Sequence, residues 1–157
     1  MSFSLDALLS LVGQLDDAPG FDTARERFRR FLVERVTDLP TARALIEDCQ
    51  RSVGEQHHRA LHDLIVAVGR LMGFEVTFGP YDGPADDSEL CARWRSPGLF
   101  DAALEIRTEQ NASATLERLA RATAATSDTE HRRQAQSIGL CILARQFAPR
   151  RKRRFAA

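Results

Sequence analysis

Apolar positions recur at helical spacing through the first third of the chain. Leu5, Leu8, Leu9, Val12 and Leu15 predict a helix over 4–16, and Pro19-Gly20 breaks it. Thr23, followed three residues later by Glu26, is a capping box opening a second helix. Phe28, Phe31, Leu32 and Val36 are its stripe, while Arg25, Arg27, Arg29 and Arg30 take the other faces. Leu39-Pro40 opens a third helix over 41–52, with Ala44, Leu45, Ile46 and Cys49 inward. A longer helix over 55–72 carries a wide apolar face of Ala60, Leu61, Leu64, Ile65, Val68 and Leu71, and Gly73 closes it.

Beyond Gly73 the period shortens. Phe74, Val76 and Phe78 alternate with Glu75 and Thr77, as in a half-buried strand. A turn-rich loop, "GPYDGPADD", separates it from the strand "ELCARWR", and "SPG" turns that into "GLFDAALEIRTEQ". A helix follows in "NASATLERLARATAA", and "SIGLCILAR" is a last strand. From residue 55 the order is α-β-β-β-α-β. Three strands form a meander, and the fourth, reached through a helical crossover, pairs in parallel. The predicted fold is α/β: a three-layer core with a mixed four-stranded sheet behind a helical N-terminal cap. The expected division is a cap over 1–53, a core over 54–146 and a basic, disordered tail over 147–157.

Composition narrows the class. With 157 residues, 43% of them hydrophobic, the chain fits one soluble globular domain, or one domain with a helical extension. No apolar run reaches the roughly 18 residues of a membrane span, and the N-terminus lacks signal-peptide features. Three widely spaced cysteines fit buried thiols in a reducing cytoplasm. The formal net charge is zero, but "RRKRR" near the C-terminus balances an acidic body.

The third strand is the anomaly. Asp101, Glu105 and Arg107 share one face with Ala103, while Phe100, Ala102, Leu104 and Ile106 take the other. A row of charges inside a core strand calls for chemistry or for internal pairing. Asp101 and Glu105, expected about 7 Å apart by strand rise, would lean toward one hard cation. Either carboxylate could instead pair with Arg107.

The strand order, with Glu-x-basic inside the third strand, resembles the PD-(D/E)xK, or restriction-endonuclease-like, nuclease superfamily over about residues 55–145. The resemblance implies a metal-dependent phosphodiesterase acting on DNA with Mg²⁺ or Mn²⁺. Glu105 would be the motif carboxylate, and Arg107 would stand where the family has lysine. Glu55 would be the glutamate of the first core helix. Asp101 or Asp87, with Asp86 beside it, would be the upstream carboxylate. Arginine stays protonated near neutrality and cannot act as a general base. Three readings remain open: an active nuclease; a degenerate member kept for binding or scaffolding; an unrelated α/β fold whose charges meet water at a sheet edge. The first two place the chain in cytoplasmic nucleic-acid processing or bacterial defence. A protein-interaction module with a partner chain or a second copy is the alternative in another class, using the arginine-rich helix and the carboxylate row.

Arg93, Arg95, Arg107 and Arg118 could form a phosphate-contacting surface around Trp94, which alternation places in the core. His58 and His62 lie four apart on one helix face without a third ligand, which reads as surface or packing polarity. His57 and Asp63 add only polarity. Cys91 reads as a structural thiol, and the loop around Tyr81 as a hairpin folded over the carboxylate row.

Overall fold

The computed structural model describes residues 4–52, 54–81, 92–107, 117, 119–124 and 136–143, with the side chains of Arg107 and Leu143 outside that description. Four helices come first: α1 (Leu5–Val12), α2 (Ala24–Arg35), α3 (Leu39–Arg51) and α4 (Glu55–Leu71). Their starts are written in side-chain chemistry. Ser4, Thr23 and Asp38 each accept a hydrogen bond from a backbone N–H in the first turn they cap. The third helix opens at Asp38, with Pro40 in its first turn, where the missing N–H has no cost. Gly73, at φ +89°, takes the left-handed conformation that lets the chain leave α4.

The expected sheet is borne out. β1 (Glu75–Thr77), β2 (Ala92–Ser96), β3 (Phe100–Arg107) and β4 (Gln136–Leu143) lie in that spatial order. The first two pairings are antiparallel and β3–β4 is parallel. β3 is therefore interior. The strand arrangement excludes the reading that places its charges at an edge.

α4 organises the molecule because it is buried on two sides. Ala60, Leu61, Leu64 and Ala67 join Leu5, Leu8, Phe28, Leu32, Leu45 and Cys49 in a helical core. Val66 joins Ala92, Trp94, Ala102 and Leu104 in a second core against the sheet. Ala44, expected inward on α3, is exposed, and Ala42 is buried in its place. Trp94 is held in the sheet core, where its Nε1–H donates to the Val66 carbonyl at 2.9 Å and its indole lies against Gly69. A side chain at position 69 would overlap that ring. On the opposite face of the sheet, the helical residues Leu119 and Ala122 pack on Ala103 and Cys141. Helices thus cover both faces. No helix among the described residues is long and apolar enough to cross a membrane.

Candidate functional site

Strand alternation and register decide what stands around the carboxylates. Asp101 and Glu105 are both buried, 3% and 7% exposed, on the face covered by residues 119–124. β4 places Ser137 beside Asp101, Gly139 beside Ala103 and Cys141 beside Glu105. Gly139 is matched to its neighbour: a Cβ there would meet Leu119 at 3.3 Å. β2 places Arg93 opposite Ala103, midway between the two carboxylates. Its Nη1 donates to Asp101 Oδ1 at 3.0 Å. Two residue pairs along, Arg95 stands between Glu75 and Asp101 and donates from Nε to Glu75 at 2.9 Å. The hydrogen bond and charge of Glu75 raise the Arg95 pKa.

The expected spacing needs correction. About 7 Å is the length of one pleat, from Asp101 to Ala103. Asp101 and Glu105 are separated by two pleats, about 13 Å along the strand. Strand side chains stand roughly perpendicular to the sheet, so the two carboxylates do not converge. The point midway between them is filled by the packing of Ala103, Leu119 and Ala122, with Arg93 opposite. Magnesium demands oxygen ligands at about 2.0–2.1 Å in near-octahedral array. Asp101 and Glu105 do not together present that array. Among the described residues, no group of three or more His, Cys, Asp or Glu side chains could hold a metal.

The other predicted site residues are placed unevenly. Glu55 sits at the exposed start of α4, paired with Arg59, on the helix that packs against the opposite face of the sheet. Arg107 has its backbone on the row, beside Leu143. Asp86, Asp87, Cys91, Arg118 and the C-terminal tail lie outside the described residues. Cys49 is buried, and that burial, with the nearby Asp48 charge, pushes its thiol up to about 12, so it is no nucleophile at neutral pH.

A second cluster of charges was not foreseen. Asp63, read as helix polarity, is 0% exposed. Arg29, read as an outer-face residue, is buried against it. The Arg29 guanidinium grips the carboxylate in a fork, Nε to Oδ2 at 2.9 Å and Nη2 to Oδ1 at 3.0 Å. Tyr81 donates its hydroxyl to Oδ2 at 2.6 Å, and His62 Nδ1 lies 3.2 Å from Oδ1. Burial alone would lower the Arg29 pKa, but Asp63, with smaller contributions from Tyr81 and Glu26, offsets it and the net shift is upward. Burial, then the Asp63 charge, raises the Tyr81 hydroxyl well above the ordinary tyrosine range. The Tyr81 amide donates to the Asp17 carboxylate at 2.9 Å. The loop expected to fold over the carboxylate row therefore begins by docking on α2, α4 and the turn after α1. One signal was present in the sequence. Asp63 lies three residues from Ala60 and Val66 and four from Ala67, inside an apolar stripe.

No family model, no curated protein and no solved structure matches this chain.

Proposed function

We propose that the chain is a nuclease-related α/β domain that works in nucleic-acid processing or defence by binding or scaffolding and does not cut. The observation that carries this reading is the interior strand β3, with buried Asp101 and Glu105 in one row of a mixed, helix-covered sheet. That is the frame on which the nuclease superfamily mounts its carboxylates. The row here is partly neutralised by Arg93 and filled at its midpoint. Metal-assisted hydrolysis needs converging oxygen ligands and a held water. An arginine at position 107 also removes the lysine of the motif. Plasmid cleavage with Mn²⁺ tests the reading, with wild type, Arg107→Lys and Glu105→Ala compared. No cutting by wild type is expected. Robust wild-type cutting that disappears in Glu105→Ala would overturn it.

A protein-interaction module has its own support. Arg93 and Arg95 are engaged by carboxylates of the same sheet, and Arg25, Arg27, Arg29 and Arg30 of α2 by Asp17, Asp22 and Asp63. Those cations are less available to phosphates than the sequence implies. Leu11, Phe21 and Leu99, by contrast, are widely exposed. Duplex-DNA binding measured by fluorescence anisotropy at low salt separates the two, because nucleic-acid affinity must weaken steeply as salt is raised.

A further inference from the structure

We infer that Arg93 is the fixed internal cation of the carboxylate row, standing in for the divalent ion that the nuclease-like frame would otherwise hold. The placement follows from register. Arg93 faces Ala103, so Asp101 and Glu105 are its two diagonal neighbours across the β2–β3 ladder. Diagonal positions lie about 7–8 Å apart, within reach of a long side chain. The contact is made: Nη1 to Asp101 Oδ1 is 3.0 Å, with the two side chains 12% and 4% exposed. A guanidinium at that carboxylate repels an incoming divalent ion. It also holds oxygen lone pairs that a metal would need. Leu119 and Ala122 close the remaining approach from above Ala103. Removing the cation of a buried ion pair destabilises the fold, because the remaining carboxylate is then less well compensated in a poorly solvated site.

The Arg93–Asp101 pairing stands whether or not the chain is related to nucleases, and its reading as a replacement for a divalent ion rests on the function proposed above. The experiment compares wild type, Arg93→Met, Arg93→Lys, Asp101→Asn and the pair Arg93→Met/Asp101→Asn in the full chain. Calorimetry with Mg²⁺ and Mn²⁺ is combined with thermal unfolding. Wild type should show no Asp101-dependent metal binding and no upward shift of its midpoint with either ion. Arg93→Met should lower the midpoint by about 10 °C. Asp101→Asn added to it should recover about half of the loss, and Arg93→Lys should fall between wild type and Arg93→Met. Should Arg93→Met fail to fold, recovery of folded protein in the double variant supports the pairing equally. Mn²⁺ binding by wild type that Asp101→Asn abolishes would overturn the inference. So would a double variant no more stable than Arg93→Met. Cleavage that needs Glu105 and survives Asp101→Asn would sink the non-cutting reading above while leaving this inference standing.

Discussion

Among the described residues, two arginine–aspartate pairs are largely shielded from solvent, and they are built differently. Arg29–Asp63 joins residues 34 apart in sequence, in two helices. Arg93–Asp101 joins residues eight apart, in adjacent strands of a meander. In the helical pair the carboxylate takes both prongs of the guanidinium and the Tyr81 hydroxyl, with His62 alongside. The same guanidinium donates to the Gly79 carbonyl at 2.5 Å and lies 5.0 Å above the Phe78 ring. Every direction around Asp63 is answered by the fold. The sheet pair sits instead in the polar row of β3, where Arg93 reaches Asp101 diagonally from β2. Burial of a charge therefore means two things here. Around Asp63 it ties α2, α4 and the segment after β1 into one unit. Around Asp101 it joins β2 to β3 within the sheet.

Removing the carboxylate of the helical pair gives the largest expected effect. Asp63→Ala leaves Arg29 buried and unpaired, and should lower the unfolding free energy by about 3–5 kcal/mol in urea denaturation. A change below about 1 kcal/mol would show that water readily solvates Arg29, and would erase the contrast between the two pairs.

Tyr81→Phe is a finer cut. It keeps the ring against Arg29 and deletes one hydrogen bond to a carboxylate, for a loss of about 1.5–3 kcal/mol at neutral pH. The pH dependence follows from the raised Tyr81 pKa. The unfolded chain releases this proton near pH 10, while the folded chain keeps it. Above that pH the unfolded state binds fewer protons, so stability falls as pH rises, and the contribution is fully present below pH 10. Tyr81 is the only tyrosine. Absorbance at 295 nm should therefore show its ionisation coinciding with alkaline unfolding, not preceding it. In Tyr81→Phe this part of the alkaline loss should vanish.

Arg95→Ala should do the least. Its partner Glu75 is as exposed as Arg95 itself, and such pairs contribute little because water and salt screen them. The urea midpoint should stay where it is. A loss comparable to that of Arg93→Met would mean that the whole charged row acts as one network.

Much of the fold was legible because the signals are local. Helix starts at Thr23 and Asp38 are set by a side chain and the N–H groups just after it. Alternation in "FDAALEIR" fixes which residues share a face, and the helical crossover makes β4 parallel to β3. Trp94 in the core follows from the same alternation. The candidate site was legible only as a row of charges. Its spacing along the strand follows from the rise per residue, but nothing in a linear pattern shows that Arg93 stands opposite Ala103 or that Leu119 and Ala122 fill the gap. Those facts depend on register and on where a helix lands.

The chain by itself determined its elements, their order and the two faces of each strand, since these rest on periods of a few residues. Tertiary structure decided the fate of the charges. Arg29 looks like an ordinary solvated helix position and Asp63 stands out only by its place in an apolar stripe, and they become a buried pair only when α2 crosses α4. Coulomb attraction and desolvation depend on distance and surroundings, and neither is carried by the sequence spacing of residues 34 apart.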